Sequence, residues 1–249
     1  MDLVTIDAPD GPAEAYVARP DSGSGPGVLF FIDAIGLRPR IAEMADRIAS
    51  WGYVVLAPNV LYRSGTAAET SPTTDLRQPG AREAFFAHTG PRIEAITAPR
   101  AEADLRVWTD TLAGLEGVDP RGPFGTVGFC MGARLAIRAS GLDQRYAAVG
   151  GFHGGALATD APDSPHLSLA TARAEYVFGH ADNDGSMPPE QVEKLGAALS
   201  DAGLTASNEV FPGAAHGYSM SDTSMYDEAA TERMFTELEA LFARTLKAT

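Results

Sequence analysis

The stretch Thr126-Val127-Gly128-Phe129-Cys130-Met131-Gly132-Ala133-Arg134-Leu135 constrains the fold more than any other part of this chain. An apolar run leads into a cysteine flanked at two positions on either side by glycine, and a helical pattern follows. This is the spacing of a sharp strand–turn–helix whose apex residue takes a strained backbone conformation. Side chains at the flanking positions would collide with the neighbouring strand and helix, so both are glycine. Cys130 is then expected to stand above a sheet at a helix N-terminus, where the positive end of the dipole favours thiolate. A lone cysteine is by default a small apolar core residue. The flanking glycines and the apolar run argue against that default here.

The rest of the chain supplies a sheet for this turn. Residues 3–7 and 13–18 flank the turn residues Pro9-Asp10-Gly11-Pro12 and predict an antiparallel hairpin. After a Gly/Ser/Pro linker, residues 27–32 are apolar without alternation, as in a parallel strand buried on both faces. Asp33 ends that run. Ile41, Met44, Ala45, Ile48 and Ala49 repeat at helical spacing, and Gly52 stops the helix. Residues 53–57 read as another buried strand closed by Pro58. Residues 59–98 read as an irregular insertion, a possible lid or pocket wall. A helix from Pro99 to about Leu115 buries Leu105, Trp108, Leu112 and Leu115. Beyond the Cys130 turn, residues 146–152, 174–178 and 206–211 read as strands. A helix opened by Pro188-Pro189 separates the last two, and Met234, Phe235, Leu238, Leu241 and Phe242 mark a terminal one. Strand alternating with helix predicts an α/β fold, a mostly parallel, doubly wound sheet flanked by helices, with residues 1–249 as one domain.

Composition narrows the function classes. Acidic residues outnumber basic ones by 33 to 19, a formal net charge of −14, which disfavours nucleic acid and anionic membrane as partners. A single cysteine excludes an internal disulfide and a cysteine-rich zinc site. The amino terminus lacks a basic start and an apolar core, and no stretch is long enough to span a bilayer, so a cytoplasmic protein is the expectation.

Ligands of open parallel sheets sit beyond the carboxyl ends of the strands. That rule brings Asp33, Cys130, His153, Asp182 and His216 to one rim. The chain order nucleophile, acid, histidine selects Cys130, Asp182 and His216 as a catalytic triad. Asp182 is preferred over Asp184 because it lies nearer the strand end, and Asp184 is expected to cap the following helix. His153 is the rival base. His88 and His166 are expected at the surface, and His180 is expected to be exposed. The His/Asp set lacks metal-ligand spacing, so no metal is expected. In the expected chemistry the Cys130 thiolate attacks a carbonyl carbon, His216 moves protons and Asp182 orients it. The backbone N–H groups of Ala34 and Met131 form the oxyanion hole.

With these residues in place the chain resembles the dienelactone hydrolase family of the α/β-hydrolases over nearly its whole length. The markers are Gly128-Phe129-Cys130-Met131-Gly132, the Gly179-x-x-Asp182 loop and the Ala215-His216-Gly217 turn. The resemblance implies a cofactor-free enzyme that opens unsaturated lactones through Cys130, His216 and Asp182. It also implies that the acid after the early strand contacts the resting thiol. Asp33 matches that position, one methylene shorter than the glutamate of the best-known members. Family enzymes hold a substrate carboxylate with arginines, one shortly after the catalytic histidine, where this chain has Gly217-Tyr218-Ser219-Met220. Arg82 or Arg92 is the remaining cation, and Ile35, Phe129, Arg82, His153 and Met220 are the candidate substrate contacts. The expected partner is therefore a small ester or lactone, with the protein a monomer or weak dimer. A ligand-binding protein with a retained triad and a thiol redox sensor are the competing functions.

Overall fold

The computed structural model describes residues 2–247. Strands β1 (Asp2–Ala8) and β2 (Gly11–Ala18) form the antiparallel hairpin, with Ala8 opposite Gly11 at its turn. Then follow β3 (Gly27–Phe31), α1 (Pro39–Ser50) and β4 (Val54–Pro58). The insertion is not irregular throughout. It carries a 3-10 turn at Tyr62–Ser64 and three short helices, α2 (Ala67–Thr70), α3 (Ala81–Phe86) and α4 (Gly90–Glu94). Thr66 and Glu69 close a capping box on α2, a local signal strong enough to fix even one turn.

The second half runs α5 (Ala98–Gly114), β5 (Phe124–Phe129), α6 (Gly132–Leu142), β6 (Tyr146–Phe152), a 3-10 segment (Pro165–Thr171) and β7 (Glu175–Ala181). It ends with α7 (Pro189–Asp201), β8 (Ala206–Phe211) and α8 (Glu228–Thr245). Asp227 caps α8 by accepting from the Ala230 N–H at 3.0 Å.

The eight strands lie in the order β1-β2-β4-β3-β5-β6-β7-β8, parallel from β4 onward. Every residue of β3, β4 and β5 is buried, which is why these strands read as continuous apolar runs. The helices cover both faces. Trp51 after α1 meets Phe235 of α8 edge-on on one side, while α5 and α6 pack together on the other. Each buried Leu, Phe or Met on those helices contributes about 1.5–3 kcal/mol. After β3 the chain moves to β4 on one side of it, and later returns to β5 on the other. The carboxyl ends of β3 and β5 are therefore the topological switch point, where open sheets leave a crevice. No described helix is long and apolar enough to cross a membrane.

Candidate active site

Cys130 sits at that switch point with φ 53°, the left-handed region that side chains enter only at a cost of about 1–3 kcal/mol. The two glycines account for how the turn closes. A Cβ on Gly128 would lie 2.1 Å from the Gly132 carbonyl oxygen, and one on Gly132 would lie 2.4 Å from the Phe31 oxygen. The Cys130 N–H donates to the Phe152 carbonyl at 3.1 Å, tying the turn to β6. Its side chain is half-buried and lines a small cavity with Asp33, Ile35, Arg82, His153, His216 and Met220.

His216 lies in the loop between β8 and α8. Its Nδ1 meets Asp184 Oδ2 at 2.6 Å, leaving Nε2 as the nitrogen available to Cys130. Burial pulls the imidazole pKa down, but Cys130 and the Asp184 carboxylate beside it outweigh this and push it up to about 10. Burial likewise raises the Asp184 carboxyl, and the hydrogen bonds from His216 and Ser186 overcome this, holding it at about 2. His216 and Asp184 thus form an ion pair next to the sulfur.

The acid facing His216 is therefore Asp184, not Asp182, and the strand's true end explains the difference. β7 continues to Ala181, three residues beyond Phe178, so Asp182 is the first residue after it. Asp182 turns to the neighbouring loop, where its Oδ2 accepts from the Gly213 N–H at 2.9 Å. Asn183 then adopts φ 52°, and this left-handed step brings Asp184 beneath the imidazole. Asp184 does accept from the Ser186 N–H and hydroxyl, at 2.8 and 2.7 Å, but through its other oxygen. The longer strand also buries His180, which is fully enclosed and shares a 2.7 Å hydrogen bond with Asn208 Oδ1. His166 is also buried rather than at the surface, its Nδ1 2.8 Å from Ser164 Oγ. His88 is exposed.

His153, the rival base, is buried, with Nε2 2.8 Å from Ser219 Oγ and its ring 5.5 Å from that of His216. Burial first, and then the charge on His216, hold its pKa well below the usual value, so it stays neutral. It has no acid partner among the described residues and serves as a wall beside His216.

Asp33 lies in the cavity wall, yet its carboxylate is directed elsewhere. Arg38 Nη1 and Nη2 donate to its two oxygens at 2.7 and 3.0 Å, and the Ile35 N–H donates to Oδ1 at 3.0 Å. Arg38 also pairs with Asp222 at 2.5 Å. Its burial disfavours its charge, but Asp33 and Asp222 raise its pKa nonetheless. No hydrogen bond joins Asp33 to Cys130 among the described residues. Sequence reasoning missed Arg38, whose only signal was an arginine five residues after a strand-end aspartate. The ring Asp33–Ile35–Arg38 holds the loop that carries the Ala34 N–H. The N–H groups of Ala34 and Met131 donate to no other described residue.

Of the substrate-contact candidates, Ile35, Arg82, His153 and Met220 line the cavity. Phe129 does not; it is fully buried and stacks between Phe30 and Phe152. Arg82 lies over the Phe86 ring at 4.8 Å and reaches to 4.0 Å from where a Gly217 Cβ would stand. Arg92 instead donates to the Thr70 carbonyl at 2.9 Å. No cluster of metal-ligating side chains occurs among the described residues.

Residues 13–246 match the dienelactone hydrolase family. The carboxymethylenebutenolidase of Rhodococcus opacus is 26% identical over 205 residues, covering 81% of this chain and 73% of that protein. Among solved structures, a Klebsiella pneumoniae protein assigned as a dienelactone hydrolase superposes with a TM-score of 0.79 at 22% identity, covering 98% of each chain. A dienelactone hydrolase-like promiscuous phosphotriesterase from metagenomic libraries superposes with a TM-score of 0.73 at 19% identity, over 99% of each chain. These two structures share the fold.

Proposed function

Because the chain belongs to the dienelactone hydrolase family, we propose that it cleaves small ester or lactone substrates through Cys130, His216 and Asp184. The observation that carries this reading is the linked geometry at the switch point. A strained, half-buried thiol shares its cavity with an imidazole, and a buried carboxylate at 2.6 Å fixes that imidazole's tautomer.

The Cys130 thiolate attacks the substrate carbonyl carbon, and the N–H groups of Met131 and Ala34 hold the resulting oxyanion. Removing one such donor costs about 3–4 kcal/mol in the barrier. The carbon–oxygen bond to the leaving group breaks as His216 Nε2–H gives its proton to the departing alkoxide, leaving a thioester on Cys130. In a lactone the alkoxide stays tethered to the acyl group. Neutral His216 then takes a proton from water as the hydroxide adds to the thioester carbon. Expulsion of the thiolate releases the acid and restores the ion pair. Asp184 keeps Nδ1 protonated throughout. Arg82 supplies the cation on the substrate side of this cavity, and Ile35 and Met220 the apolar contacts.

The test is turnover of p-nitrophenyl acetate and of a small unsaturated lactone by the native chain and by Cys130→Ala. The reading expects hydrolysis of both by the native chain, abolished in the variant. Equal rates in the two proteins would reject Cys130 as the nucleophile.

A further inference from the structure

On the far side of Met131 the structure holds a second cavity, about 190 Å³, that the proposed reaction does not use. It is larger than the space directly over Cys130, which is about 10 Å³. An apolar void of roughly 150 Å³ is enough to admit benzene, so a ring-sized group fits here. One wall is apolar, built from Ile93, Ile96 and Leu135. The other carries two guanidinium groups, Arg134 and Arg138, from successive turns of α6, and one acid, Asp163, whose charge acts on Arg138. Residues four apart on a helix share a face, so both groups address the same space.

The two arginines are not equally committed. Arg138 donates to the Asp163 carbonyl and lies 3.9 Å from the Glu102 carboxylate. Arg134 has one protein acceptor, the Gly155 carbonyl, which its Nε reaches at 2.7 Å. Its Nη1 and Nη2 have no acceptor and no carboxylate partner among the described residues. Burial lowers its pKa, and Cys130 is the one group that opposes this. Arg134 is partly buried, and a guanidinium partly withdrawn from water without a counter-ion gains from pairing with an anion. The free edge is also the part of arginine that fits a carboxylate or phosphate in two parallel hydrogen bonds.

We infer that this cavity is an anion subsite, in which Arg134, backed by Arg138, binds a carboxylate or phosphate carried on an apolar stem lying along Ile93, Ile96 and Leu135. Met131 joins it to the reaction centre, since its side chain lines the cavity and its N–H faces the expected oxyanion. The anion is either a distal group of the substrate itself or a separate small acid. The first of these rests on the proposed hydrolysis; the second does not.

Mono-p-nitrophenyl esters of succinic, glutaric and adipic acid, compared with neutral p-nitrophenyl esters of matched length, test the substrate arm. At least one acid ester is expected to exceed its neutral counterpart about tenfold in kcat/KM, equivalent to about 1.4 kcal/mol. Arg134→Gln is expected to erase that ratio, chiefly through KM, and Arg134→Lys to restore part of it. Thermal-shift titration with benzoate and phenyl phosphate tests the separate-acid arm. A saturable rise in midpoint in the native chain, lost in Arg134→Gln and partly recovered in Arg134→Lys, supports the subsite with or without an acid-ester preference. The inference is overturned if no acid ester is preferred and neither anion shifts the midpoint. It is also overturned if Arg82→Gln removes the preference and Arg134→Gln does not. An equal fall on acid and neutral esters in Arg134→Gln, with no anion-dependent midpoint shift lost in that variant, would mean support of the reaction centre and would overturn it as well. If the native chain hydrolyses no ester, the hydrolase reading fails, and the anion titration still decides the subsite.

Discussion

Replacing Asp184 by Asn separates the acid that the structure pairs with His216 from Asp182, the one nearer the strand end. The amide keeps the shape of the carboxylate, and its oxygen can still accept from the Ser186 N–H and hydroxyl. Its NH2 then faces His216 Nδ1, which must give up its proton and accept. The proton moves to Nε2, so the nitrogen that should take a proton from the attacking water becomes a donor. Loss of one hydrogen bond to a charged group alone is worth about 1.5–3 kcal/mol, or roughly 10–150-fold. The wrong tautomer in a comparable triad costs about 10⁴-fold. A fall in kcat of about 10²–10⁴ is therefore expected for Asp184→Asn. Asp182→Asn retains an oxygen for the Gly213 N–H and should stay within about threefold of native. Initial rates on p-nitrophenyl acetate across a pH range provide the assay, with urea unfolding to check that both variants remain folded. The reasoning is refuted if Asp182→Asn shows the large loss and Asp184→Asn does not.

Gly132→Ala should destabilise by about 1–3 kcal/mol or more in urea unfolding, because its Cβ would meet the Phe31 and Ile32 carbonyl oxygens at 2.4 and 2.6 Å, both backbone. Arg38→Met should cost about 3–5 kcal/mol by leaving the buried Asp33 carboxylate unpaired, and adding Asp33→Asn should recover part of that loss. Stability should also depend on pH through the ion pair. Asp184, held below its ordinary 3.8, contributes stability above that value that is lost as pH falls towards about 2. His216, held above 6.5, contributes stability below that value that is lost as pH rises through about 10. Cys130→Ala removes one of the groups that hold the His216 pKa up, so the alkaline decline of the urea midpoint should be smaller and end at lower pH in that variant.

The sheet was legible because its central strands β3, β4 and β5 are buried on both faces and are apolar but for Thr126, whose hydroxyl donates to the Leu29 carbonyl. Residues 27–32 and 146–152 appear as strands within one residue of their actual ends. The Cys130 turn was legible for a steric reason, since only glycine tolerates the approaches found at positions 128 and 132. The choice between Asp182 and Asp184 was not legible from spacing. It depends on where β7 stops and on a single left-handed residue, Asn183, and no apolar pattern reports either. The same extension of β7 buried His180. The partner of Asp33 was hidden because Arg38 looks like a solvent-facing cation until Asp33 and the distant Asp222 enclose it. Residues 59–98 lacked long periodicity; of their short helices only α2 carries a side-chain cap, and α3 and α4 are too short to show an apolar repeat.

The central claim is that the Cys130 sulfur forms a covalent bond to the acyl group during turnover. Rapid acid quenching of the native chain with p-nitrophenyl acetate, followed by peptide mapping, measures this directly. The account predicts one acetyl group on the peptide containing Cys130 during the first turnover, absent in Cys130→Ala. Turnover with no adduct on that peptide, or with the acetyl group on another residue, would contradict it.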